Sequence, residues 1–202
     1  MRTLNLAPAL LLGASLLGPG LLTAAPPPGL DPRSFEFRVR SLALECRDEA
    51  VRRIEALVAS GKLTQAQVFD TFYVPIPNTY PQKFHTQYDR VFDEALRPLL
   101  DDYLGKHPRF VFFILSDLNG YVPTHNSAFT KPLTGNREKD AKGNRTKLMF
   151  NDRTGLAASR NTAPHLLQEY QRDTGETMYD LSVPVYVGGR HWGCVRVGFR
   201  KE

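Results

Sequence analysis

The chain has 202 residues, of which 42% are hydrophobic, 23% charged and 10% aromatic, enough to bury a sizeable core. Its 15 Gly and 15 Pro follow no period, which excludes collagen-like and low-complexity classes. The net charge of +5 comes from basic residues interspersed with acids, which gives no reason to expect a nucleic-acid partner, and two cysteines are too few for a disulfide framework or a four-thiolate metal site.

Residues 1–25 read as an export signal. Arg2 is followed by an apolar run from Leu4 to Leu22, and Thr23-Ala24-Ala25 offers small residues for cleavage. Pro8 and Pro19-Gly20 argue against a spanning helix, so an uncleaved membrane anchor is the lesser alternative. The expected location is periplasmic or secreted. Residues 26–33 form a proline-rich spacer, and residues 34–202 are expected to be one domain.

Ser34 to Ser60 has the spacing of a long helix. Phe35, Val39, Leu42, Cys46, Ala50, Ile54 and Leu57 fall on one face, and Gly61 ends it. Thr64 caps a short helix from Gln65 to Asp70. Tyr73 to Pro81 holds three prolines and is read as an extended covering loop. Tyr88 to Leu104 reads as one helix, kinked at Pro98.

From Arg109 the period becomes that of strands. Phe110 to Leu115 is a buried strand, Asp117-Leu118-Asn119-Gly120 a hairpin turn, and Tyr121 to Thr124 the return strand, placed at an edge by Pro123. Residues 125–163 are long and polar, with short helices expected around 145–159. Three more strands follow, Leu166 to Arg172, Thr177 to Val187 and His191 to Phe199, with turns at Asp173-Thr174-Gly175-Glu176 and Gly188-Gly189. The expected class is α+β: five antiparallel strands with the long N-terminal helix packed on one face. Alternation in the last strand sets Trp192, Cys194 and Arg196 against Val195, Val197 and Phe199. In an exported protein Cys46 and Cys194 could pair across that helix–sheet contact; two buried free thiols is the other reading.

The segment from Asn144 to Asn161 concentrates polar chemistry. It holds Asn144, Arg145, Asn151, Asp152, Arg153, Arg160 and Asn161, yet also Phe150 and Leu156-Ala157-Ala158. The apolar residues predict that it folds back on the sheet, so its polar groups need partners. Guanidinium groups and amides suit a small polar or carboxylate-bearing ligand; holding irregular backbone in place is the structural alternative. His125-Asn126 follows the second strand directly, at the start of the same crossover. Trp192 walls the pocket or packs under the first helix, and Asp180 meets either a ligand ammonium or a nearby Arg.

The run Phe112-Phe113-Ile114-Leu115-Ser116-Asp117-Leu118-Asn119-Gly120-Tyr121-Val122, with the closing Asp180-Leu181-Ser182-Val183-Pro184-Val185 and Gly189-Arg190-His191-Trp192-Gly193, resembles the PAS-like fold and the Cache domains of bacterial sensors. Over residues 78–199 the chain resembles a sensory segment of methyl-accepting chemotaxis proteins. That resemblance is carried by Pro81-Gln82-Lys83-Phe84-His85-Thr86, Asn119-Gly120-Tyr121-Val122-Pro123-Thr124-His125-Asn126, Phe150-Asn151-Asp152-Arg153-Thr154-Gly155 and Arg160-Asn161-Thr162. The methyl-accepting coiled coil and an output domain are missing from this sequence. The resemblance implies a ligand-sensing module that signals through a separate partner, for which a membrane signalling protein or a second copy of the chain are candidates. No cofactor and no catalysis are expected from the residues, which offer no nucleophile elbow, no glycine-rich phosphate loop and no Cys-x-x-Cys-His attachment motif. The ligand is expected between the free face of the sheet and the 125–161 crossover, under the Tyr73–Thr86 loop. Two alternatives stay open: a haem-binding sensor or electron-transfer protein with His125 or His191 as axial ligand, and a small hydrolase using His125 and Asp152.

Overall fold

The computed structural model describes residues 29–171 and 176–201. The expected export signal, the start of the spacer and most of the turn at 173–176 lie outside them. Helix α1, Phe35–Ala59, opens on Ser34, whose hydroxyl accepts the Phe37 amide. Val39, Ala43, Cys46, Ala50, Ile54 and Leu57 are its buried face, at the three- and four-residue steps read from the sequence. That face lies across the two central strands of the main sheet. Burial of each larger aliphatic side chain there contributes roughly 1.5–3 kcal/mol. After the short helix α2, Gln65–Val68, the chain enters the small strands β1, Val74–Ile76, and β2, Lys83–His85.

The expected helix over Tyr88 to Leu104 is two helices, α3, Asp89–Ala95, and α4, Arg97–Leu104. Pro98 sits in the first turn of α4, where its missing N–H costs nothing, and the break falls at Leu96. Strand β3, Phe110–Asp117, then runs into a tight turn. The Asp117 carboxylate accepts the Asn119 and Tyr121 amides, and Gly120 supplies φ +84°.

The return strand corrects the five-strand expectation. Strand β4, Tyr121–Val122, does not pair with β3; it pairs with β5, Leu148–Met149. With β1 and β2 these make a second sheet in the order β1-β2-β5-β4, which leaves β4 at an edge as Pro123 implied. The main sheet has four antiparallel strands, β3-β8-β7-β6, where β6 is Leu166–Gln171, β7 Thr177–Val187 and β8 Arg190–Arg200. The architecture is α+β, with the long N-terminal helix on one face of an antiparallel sheet.

Two irregularities sort the side chains between the faces. A bulge between Phe110 and Phe112 keeps Phe110 and Phe113 on the helix face and turns Val111 and Phe112 to the other. A second bulge leaves Trp192 unpaired between His191 and Gly193. Strict alternation had set Trp192 beside Cys194 and Arg196; the extra residue turns it to the helix side instead. There its indole N–H donates to Val68 O at 2.9 Å and its ring meets Tyr88 and Phe92. Cys46 and Cys194 are both free and buried, the first in the helix-side core, the second beside Ser159 on the opposite face.

The crossover from β4 to β6 is more ordered than its composition predicts. Helix α5, Arg137–Gly143, is capped by Asn136, and helix α6, Arg153–Arg160, by Asp152. Lys83 reaches in from β2 and donates to the Asn144 and Thr146 carbonyls at 2.9 and 2.7 Å. Among the described residues, no helix is long and apolar enough to cross a membrane.

Candidate ligand-binding cavity

The face of the main sheet turned away from α1 is not apolar throughout. Arg196 on β8 lies 6% exposed at its centre, between Cys194 and Gly198. Asp180 on β7 holds it in an ion pair, with Arg196 Nε 2.9 Å from Asp180 Oδ2. Burial works against the guanidinium charge, but Asp180 outweighs it and keeps the group charged. The pair explains why an arginine persists at a buried strand position. Asp180 Oδ1 has no partner among the described residues.

Against this face the crossover encloses a cavity of 420 Å³. Val111, Phe112, Ile114, Met178 and Arg196 form its floor on the sheet, and Tyr170 and Gln171 one edge. His125, Phe129, Arg145 and Phe150 line it from the crossover, with Lys142, Asp152 and Thr154. Phe112 lies flat because Gly198 beneath it has no side chain; a Cβ there would meet the ring at 2.1 Å. The Arg145 guanidinium stands 5.3 Å from the Phe150 ring, and its amide donates to Phe129 O at 2.7 Å.

His125 is 2% exposed and packs on Phe129, with ring centroids 4.9 Å apart. Its Nδ1 has no hydrogen-bond partner among the described residues. Burial, reinforced by the nearby charges of Arg145, Lys83 and Arg196, pushes its pKa down to about 3, so the imidazole is neutral. Asp152 shares the cavity wall, but no hydrogen bond joins the two among the described residues; the Asp152 carboxylate caps α6 through the Gly155 amide at 3.0 Å.

The structure thus brings His125, Arg145 and Asp152 to one cavity and distributes the other candidates elsewhere. Asn126 is a backbone prop: its Oδ1 accepts the Phe113 amide at 2.9 Å. Asn144 donates to Lys131 O at 2.7 Å. Asn151 and Arg153 are exposed, and Arg160 donates to Leu118 O at 3.1 Å. Asn161 closes a local turn with Ala163. Asp180 and Trp192 lie outside the lining, the first under Arg196 and the second behind the sheet. His191, the other haem candidate, bonds the Gly193 carbonyl and stacks on Tyr186 near the β7–β8 turn, away from the cavity. The Tyr73–Thr86 loop is not the expected cover. Tyr73 donates to Asp117 and packs on Tyr121 and Phe84, at the second sheet. Sequence reading missed Phe112, Phe129, Lys142, Tyr170, Met178 and Arg196. Only Arg196 carried a signal, as a charge alternating with valines inside a buried strand.

The cysteines add no reactive group to the cavity. Burial pushes the Cys194 thiol up to about 12 and Cys46 higher still.

No family model matches the chain, and no curated protein does. Solved structures do. One is an extracellular ligand-binding receptor from Desulfohalobium retbaense, 14% identical over 82% of this chain and 25% of that one, with a TM-score of 0.38. Another is the ligand-binding domain of a Campylobacter jejuni chemoreceptor in complex with 4-methylisoleucine, 14% identical over 85% of this chain and 64% of that one, at 0.39. A third is the ligand-binding domain of the Pseudomonas aeruginosa amino-acid chemoreceptor PctC with GABA, 15% identical over 84% and 63%, at 0.30. The chain spans less than two thirds of the length of each. The second and third of these are ligand-binding domains of bacterial chemoreceptors.

Proposed function

We propose that the chain is an exported ligand-binding sensor module that holds a small carboxylate-bearing molecule between the main sheet and the crossover. Its occupancy passes to a separate membrane signalling protein. One observation carries the reading: a 420 Å³ cavity whose mostly apolar floor holds Arg196, with Arg145 in its wall and a buried His125 whose Nδ1 has no hydrogen-bond partner among the described residues. This volume lies at the lower end of the range of about 300–1,000 Å³ typical of small-molecule sites. Arginine suits carboxylate because its paired donors match the two oxygens. Binding here requires no covalent chemistry.

A thermal-shift screen of the chain against amino acids, organic acids, aromatic acids and purines tests the reading. A ligand at a hundred times its dissociation constant adds about 2.7 kcal/mol. Hits should fall among carboxylates, and Arg145→Ala should weaken them tenfold or more while the melt stays cooperative. A flat screen refutes the reading.

A further inference from the structure

The floor of the cavity narrows the ligand further, and this step rests on the binding reading above. Gly198 on β8 lies in register between Phe112 on β3 and Asp180 on β7. Its φ is outside the left-handed region, so its backbone would accept alanine without strain. Space is what forbids a side chain there. A Cβ would meet three carbons of the Phe112 ring at 2.1, 2.5 and 2.5 Å. The ring lies over the glycine, as aromatic side chains do when they cover a cross-strand glycine in a sheet. One of its faces is spent on the strand beneath. The other belongs to the cavity, since Phe112 is only half-buried and lines it. The Arg196 guanidinium stands 5.9 Å from the ring centre, and the His125 ring 6.3 Å from it at a tilt of 69°. Both exceed the distance of about 3.5–4.0 Å at which carbon atoms touch, so neither caps the ring.

An open aromatic face sorts ligands by shape and electron distribution, whatever their charge. A planar ring can stack on it with an offset, and such pairs gain about 2- to 12-fold in affinity beyond the area they bury. A saturated ring of the same carbon count buries at least as much apolar surface and gains none of this. Burial alone and stacking therefore predict opposite rankings.

We propose that the cavity selects carboxylates whose apolar part is a flat aromatic ring, stacked on the free face of Phe112. Gly198 is the positioning residue behind that preference, because its lack of a side chain lets Phe112 lie down on the sheet.

Phenylacetate and cyclohexylacetate share a carboxylate and a carbon count and differ only in the ring. Isothermal titration of the intact chain should show phenylacetate at least fivefold tighter. In Phe112→Leu, which keeps the floor apolar without a ring, the ratio should fall to within twofold. Gly198→Ala should weaken phenylacetate at least fivefold when Phe112 is present. Added to Phe112→Leu it should weaken it less than twofold, because no ring is left to displace. Cyclohexylacetate binding as tightly as phenylacetate overturns the proposal, as does a preference that survives in Phe112→Leu; either result leaves the binding reading standing. An equal loss from Gly198→Ala in both backgrounds overturns the role of Gly198. If neither acid binds while other carboxylates in the screen do, the proposal fails and the binding reading stands; if no carboxylate binds, both fall. Should Gly198→Ala not fold, the unaltered chain and Phe112→Leu still decide.

Discussion

Arg196 and Asp180 form a buried ion pair whose two members are worth far less apart than together. Removing one leaves the other charged and desolvated, at a cost of about 3–5 kcal/mol. Urea denaturation of Arg196→Met should show a loss of that size. The double change Arg196→Met with Asp180→Leu should recover most of it, since two apolar groups leave no charge to solvate. A single-variant loss below about 1 kcal/mol would mean that water reaches the pair. His125 gives the fold an acid limit. Its pKa near 3 in the folded chain stands against 6.5 for an ordinary imidazole. Between those values the unfolded chain binds a proton that the folded chain refuses, so stability falls as pH drops through that window. Burial lowers His165 and His107 in the same direction. Melting temperatures should therefore decline from pH 7.5 to 4.5, and His125→Phe should flatten the slope. An unchanged slope would place the acid sensitivity in the other two histidines.

At the scale of elements, the crossover owes its position to a lysine from another sheet. Lys83 donates to two carbonyls that flank Arg145, and burial drops its pKa to about 8. Against an ordinary 10.5, the folded chain sheds this proton first, so this group makes stability rise as pH climbs from about 8 towards 10.5. Lys83→Met leaves both carbonyls unpaired and should cost about 2 kcal/mol by denaturant titration. It should also speed proteolysis within residues 125–150; cleavage unchanged there would show that the helices hold the crossover unaided. The long elements were legible because burial imposes a period on them. Helix α1 matches its apolar steps, and β7 and β8 match their alternation. What could not be read was set by contacts distant in sequence. Helix α5 has no apolar face to betray it, only Asn136 as a cap. Strand β4 exchanged its expected partner for β5, twenty-odd residues on, because the Asp117 turn swings the chain away from β3. The single extra residue at Trp192 reversed that side chain's face. The cavity suffered most: its crossover wall was visible in His125, Arg145 and Asp152, whereas its sheet floor is built by residues whose orientation depends on two bulges.

For the molecule as a whole, the sheet divides a rigid side from an adaptable one. The α1 side is a continuous apolar core, and the other side closes on short helices and loops. Binding should accordingly register on one side only. Hydrogen exchange with and without a saturating carboxylate should show slower exchange in residues 125–161, with α1, β7 and β8 unchanged. Protection spread evenly over the chain would point to a general stabilisation without a local site.

The same division bears on how the chain must fold. Cys46 and Cys194 lie on opposite sides of a layer of β-strand, so the native chain keeps them apart. The unfolded chain does not. An oxidant that meets it before the sheet forms can join two sulfurs that the finished structure requires to be separate, and the product is then barred from the native topology. The thiols are thus harmless once buried and hazardous before. Refolding under oxidising conditions should yield less native protein than refolding with reductant, and Cys46→Ala should remove the difference.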